Sequence, residues 1–136
     1  VRKIIATPKK LAKIDLKSEP IPGHKIFGLQ PDGIALTGKG AMQKGNRKSG
    51  LEYLDSFLNL RGEGYTKEMS SPVTAYHSCS RISPYLSFGL LSVKEVFQIG
   101  SRRQKEIKEL PRGEKGKWPS ALNSFLGRLR WHCHFI

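Results

Sequence analysis

The sequence has 136 residues, a length that suits a single domain, and its 24 Lys and Arg against 11 Asp and Glu give a net charge of +13. That charge makes an acidic partner, nucleic acid first, the expectation, while 38% hydrophobic and 9% aromatic residues exclude a chain disordered over its whole length. No apolar run approaches the roughly 18 residues that span a bilayer and the start has no cleavable apolar leader, so neither membrane nor secretion is expected.

Residues 1–48 carry 11 basic side chains against Asp15, Glu19 and Asp32, a net of +8. Between Pro20 and Gly45 the chain is studded with Pro and Gly, includes the breaker pairs Pro22-Gly23 and Asp32-Gly33, and holds no period of 2 or 3.6. Residues 1–48 therefore read as a basic Pro/Gly-rich interdomain linker, and residues 49–136 as the folded part.

Ser49 with Glu52 three positions on has the form of a capping box, and Leu51, Leu54, Phe57 and Leu58 follow at helical spacing up to Arg61-Gly62, which predicts a first helix over about 50–60. Gly62 to Ser71 reads as a connection. Ser83-Pro84 offers an N-cap with Pro at the first helical position, and Gly89 closes a second, short helix. Ser92 and Glu95 repeat the capping box before Val93, Val96 and Phe97, opening a third helix that becomes charged through Ser101-Arg-Arg-Gln-Lys-Glu and so ends in solvent. After the Pro111-Arg-Gly-Glu-Lys-Gly loop, Trp118-Pro119 starts a fourth helix whose stripe is Leu122, Phe125, Leu126, Leu129, Cys133 and Ile136. With no strand pattern after Ser49, the predicted class is all-α. The chain opens at Val1 and closes at Ile136 inside that stripe, so it reads as cut at both ends. Cys79 and Cys133, without a secretory signature, are expected as reduced thiols in a cytoplasmic setting.

Two constellations could carry chemistry. In Ser78-Cys-Ser-Arg-Ile-Ser-Pro84, hydroxyls and a guanidinium lead into a helix start, a combination that suits a phosphate, although Ser83 could simply cap the helix. On the fourth helix Ser124, Arg128 and Trp131 lie at i, i+4 and i+7, a face able to stack on a ring or a base, or to pack on a neighbouring helix. His132, Cys133 and His134 are consecutive and point about 100° apart on a helix, so no metal site is expected there even with His77 and Cys79. No paired carboxylates, Walker loop or Gly-x-Gly-x-x-Gly accompany them.

Three segments together, Arg61-Gly-Glu-Gly-Tyr65, Cys79-Ser-Arg-Ile-Ser-Pro-Tyr-Leu-Ser-Phe-Gly-Leu-Leu-Ser92 and Ser124-Phe-Leu-Gly-Arg-Leu-Arg-Trp131, resemble in order and spacing the first half of the helical FAD-binding domain of the photolyase and cryptochrome family. The middle one is similar to that family's Thr-Ser-Arg-Leu-Ser-Pro-Tyr-Leu-x-Phe-Gly-x-x-Ser signature. The resemblance covers about residues 48–136, and the linker falls where the family connects to an N-terminal antenna domain. It implies FAD as cofactor, with Tyr65 packing at the flavin, with Cys79, Ser80, Arg81, Ile82 and Ser83 holding pyrophosphate and ribitol, and with Phe125 and Arg128 on the wall between flavin and substrate.

It further implies DNA contacts by Trp131, His132 and Lys67, and in the longer protein light-driven electron transfer to a flipped-out pyrimidine dimer, a carbon–carbon lyase reaction. The sequence departs from the family where Phe125 and Arg128 stand in place of a tryptophan and a lesion-binding glutamate, where Trp131-His-Cys-His134 replaces Trp-Arg-Glu-Phe, and where Met69 replaces an expected arginine. A cryptochrome-like blue-light receptor fits the same residues, and a cofactor-free basic helical nucleic-acid-binding module would also explain the charge. Because the family's later helices supply the rest of the flavin site, these 136 residues alone are expected to bind FAD weakly or not at all, and to lack activity.

Overall fold

The computed structural model describes Pro20 and residues 43–132. Most of the predicted linker, Cys133 and Ile136 of the predicted stripe, and His134 lie outside the described residues. Residues 44–132 belong to one compact unit, which is helical with no strand among the described residues. None of the described helices is long and apolar enough to cross a membrane.

The first helix, α1 (Arg47–Ser56), starts a turn earlier than its sequence pattern suggests. Asn46, in extended backbone, is the N-cap and its side chain accepts from the Ser49 amide at 2.8 Å. Ser49 is instead buried, and Gly50 beside it lies against Tyr85 and Leu91. The helix widens at its end into a π-turn, Phe57–Arg61, closed by the Gly62 amide donating to the Phe57 carbonyl at 3.0 Å. A β-carbon at residue 62 would collide with that carbonyl oxygen and approach the Phe57 ring within 2.8 Å, so the turn depends on glycine.

The segment read as a connection, Gly62 to Ser71, contains a short helix, α2 (Tyr65–Glu68), and a second short helix, α3 (Pro72–Ser78), follows it. At α4 (Ser83–Ser87), Ser83 is the first helical residue and not the cap; Ile82 stands at the N-cap with no side-chain hydrogen bond. Gly89 ends this element with φ of 68° and its amide on the Leu86 carbonyl, as the sequence suggested. The third predicted helix is α5 (Val93–Glu109), with Ser92 accepting from the Glu95 amide at 3.0 Å. Its charged end is largely exposed, but Ile107 turns inward. A single 3₁₀ turn, Arg112–Glu114, leads to α6 (Trp118–His132).

The core sits between these elements. From α1 and the π-turn come Leu54, Phe57 and Leu58, from the middle segment Tyr65, Ile82, Tyr85 and Leu91, from α5 Val96 and Ile107, and from α6 Ala121, Leu122, Phe125, Leu126 and Leu129. Burying each large side chain of this set contributes about 1.5–3 kcal/mol. The α5–α6 pair makes the most extensive contact, tightened where Gly100 lets Leu126 and Phe125 approach and bordered by Gln104 donating to Asn123 at 3.1 Å. Helix α2 meets α6 through hydroxyls, Thr66 lying 3.3 Å from Ser120 and 3.4 Å from Ser124. Glu63 reaches across to accept from the Lys117 amide at 2.8 Å, capping the approach to α6.

Candidate functional site

The segment from Ser78 to Ser83 leaves α3 and enters α4, and one side chain from outside it donates to the carbonyls of Cys79 and Ser80. Arg61, at the end of the π-turn, uses all five of its donors on uncharged oxygens. Nε donates to Ser56 Oγ at 3.1 Å, Nη2 to the carbonyls of Tyr53 at 3.2 Å and Ser80 at 2.8 Å, and Nη1 to the carbonyls of His77 at 3.1 Å and of Cys79. Its guanidinium carbon lies 5.9 and 5.8 Å from the ring centroids of Tyr53 and Phe57. Burial, followed by the neighbouring charge of Arg81, pushes the Arg61 pKa below its usual range, yet an arginine stays protonated in a protein. None of its five acceptors is charged, so hydrogen bonding leaves its positive charge unneutralised.

Arg81 follows directly and is the one non-glycine residue of positive φ, 58°, among the described residues. Its guanidinium carbon stands 4.0 Å from the centroid of the partly exposed Tyr76 ring and 5.4 Å from that of Tyr53. Ile82 then has φ of −92° and ψ of −4°. A left-handed residue followed by a right-handed one turns successive amides toward one side, the backbone form of anion-binding concavities. The Ile82 side chain itself is buried, while Ser83 is exposed and Ser80 partly so. Ser78 Oγ, also buried, is committed to Glu68 as a donor.

The other residues expected at a site sort into two groups. Tyr65 and Phe125 are core rings, each packed on Phe57 with centroids 5.3 and 4.7 Å away. Burial raises the pKa of the Tyr65 phenol, against the opposing charge of Arg128, and raises that of the Cys79 thiol against Arg128 and Arg61. Arg128 thus acts on both Tyr65 and Cys79, so Tyr65, Cys79, Arg61 and Arg128 share one electrostatic neighbourhood. Arg128 also borders, with the 69% exposed Trp131, a hollow of about 450 Å³. Ser124, placed by the sequence on the same face, is turned to Thr66. Lys67 is exposed on α2, and His77 is exposed with its ring 5.2 Å from that of Tyr76. The His132 side chain lies outside the described residues.

The sequence marked Arg61 only as a helix end and as the start of the Arg61-Gly-Glu-Gly-Tyr65 segment, with no role of its own, and Tyr53 and Tyr76 not at all. An arginine ending an apolar helical run immediately before a glycine was the available signal for Arg61, but its acceptors are backbone carbonyls that carry no residue identity. Comparison of the chain with known protein families, with curated proteins and with solved structures found no match.

Proposed function

We propose that this chain holds the diphosphate of FAD on the Cys79–Ser83 segment and presents Arg128 and Trp131 to damaged DNA, as a flavoprotein of the photolyase and cryptochrome type. The observation that carries the reading is the backbone of that segment: a left-handed Arg81 before a right-handed Ile82, with the guanidinium groups of Arg81 itself and of Arg128 nearby. Such a cradle fits a doubly charged diphosphate better than a carboxylate, because it offers several amides together with more than one cation.

Within this reading Ser80, Arg81 and Ser83 would hold the diphosphate and Ile82 would contribute its amide, while the buried Ile82 side chain anchors the segment in the core. FAD, when bound and reduced, supplies a photoexcitable electron donor for a pyrimidine dimer rotated out of the duplex. The hollow beside the exposed Trp131 and Arg128 suits a stacked base next to a phosphate.

The test is a titration of the isotope-labelled chain with FAD, inorganic pyrophosphate and riboflavin, read at the amides of residues 79–83 by NMR, which detects weak binding. FAD and pyrophosphate shifting these amides, with riboflavin failing to do so and Arg81→Ala abolishing the response, supports the reading. Absence of any shift with millimolar pyrophosphate removes the diphosphate site.

A further inference from the structure

We infer that Arg61 is a positioning residue, an internal cation that sets the backbone course of residues 77–81 and thereby the direction in which the Ser80 and Arg81 amides face. Its use in ligand binding rests on the diphosphate reading above; its geometry does not.

No described peptide bond is cis, and in a trans peptide the carbonyl of one residue and the amide of the next point in opposite directions. Arg61 gathers the carbonyls of Cys79 and Ser80 onto its two terminal nitrogens. The amides of Ser80 and Arg81 are therefore turned away from the guanidinium, side by side. The Cys79 amide, one residue earlier, is taken by the Ala75 carbonyl at the end of α3, so the change of direction begins at the carbonyls that Arg61 holds.

The guanidinium is itself held. Ser56 Oγ and the Tyr53 carbonyl fix it from α1, and the Ser56 to Arg61 spacing of five residues is the spacing of the π-turn. That turn needs glycine at 62, which ties the aim of one side chain to the absence of another. Lysine cannot take the place of arginine here: its three donors on a single nitrogen cannot serve five acceptors arrayed around a planar fork.

The experiment uses the full 136-residue chain as wild type, Arg61→Met and Arg61→Lys, with helix content followed at 222 nm and local geometry by NMR. A positive φ gives Arg81 a strong intraresidue amide-to-Hα Overhauser effect. Both variants are expected to lose that signature and to shift the Ser80 to Ile82 amides while α5 and α6 signals stay in place. The apparent Kd for pyrophosphate should rise about tenfold or more, the scale of one lost charge-assisted interaction. Methylguanidinium, and not methylammonium, added to Arg61→Ala should restore the Arg81 signature, a rescue that general destabilisation would not show.

Retention of the positive φ at Arg81 in Arg61→Met overturns the inference. If Arg61→Met fails to fold, Arg61→Lys decides by the same signature. Loss of the signature combined with no pyrophosphate response in the wild type upholds Arg61 as a positioning residue and rejects the FAD reading instead.

Discussion

Replacing glycines in the helices by alanine should give changes of opposite sign at positions that look alike in the sequence. Alanine in place of a helical glycine ordinarily gains about 1 kcal/mol. At Gly127 in α6 an added β-carbon meets nothing within 4 Å, so Gly127→Ala should realise most of that gain and raise the Tm by roughly 4–8 °C for a unit of this size. At Gly50 the same carbon would stand 2.9 Å from Tyr85 Cδ1 and 3.1 Å from Leu91 Cδ1. Those neighbours are 1% and 2% exposed, and the Tyr85 hydroxyl is fixed on the Lys44 carbonyl at 3.1 Å, so the ring has little freedom to withdraw. Overpacking of this kind costs about 1–3 kcal/mol, which outweighs the propensity gain and leaves Gly50→Ala destabilised by about 1 kcal/mol. Gly100→Ala should fall between, because its nearest neighbour is a methyl end of Leu126, at 3.0 Å, which can rotate aside. Thermal and urea unfolding followed at 222 nm measures all three. A Gly50→Ala variant as stabilised as Gly127→Ala would refute the close approach of α1 to Tyr85.

Loss of either helix cap, Ser92→Ala or Asn46→Ala, should cost about 1 kcal/mol each in urea unfolding, since each side chain satisfies an otherwise orphaned amide. The hydrogen bond from Arg47, 2.9 Å from Nη1 to Oε2, holds the Glu95 carboxyl below its ordinary range. A depressed folded-state pKa stabilises above the unfolded carboxylate value and loses that contribution as pH falls through the folded one. The acid limb of a stability profile should therefore be shallower in Arg47→Met, by no more than about 0.5 kcal/mol because the arginine is 45% exposed and screened. In a Cys133→Ser background, Cys79 should react slowly with a disulfide reagent at neutral pH, since burial raises its thiol pKa. Removing the Arg128 charge should slow it further, and a faster reaction in Arg128→Met would contradict the arrangement.

What the sequence made legible was whatever a local pattern could state. The Ser92 cap, the Leu122, Phe125, Leu126 and Leu129 stripe and the end of the first helix at Gly62 each follow from spacing within one element, and the structure has all three. The first cap did not follow, because Ser49 with Glu52 has the form of a capping box that Asn46 with Ser49 lacks, and only the burial of Ser49 and Gly50 in the core moves the cap back to Asn46. Helices α2 and α3 were too short, at four and seven residues, to display a period. The left-handed Arg81 was invisible for a physical reason: its conformation is imposed by neighbours rather than preferred by arginine. In the same way the hub at Arg61 is written in carbonyl oxygens, which every residue owns.

The clasp between Glu63 and the Lys117 amide joins positions 54 apart in sequence. Gly116 beside it has φ of 50°, and any β-carbon there would run into the Glu63 carboxylate. This contact closes only after α5 and α6 have turned back on the first half of the unit, so it belongs to the late steps of folding. Once closed, it couples the fraying of the entry to α6 to the turn that carries Arg61. Hydrogen exchange at the start of α6 and in residues 61–65 should then report a shared opening event, in place of two independent ones.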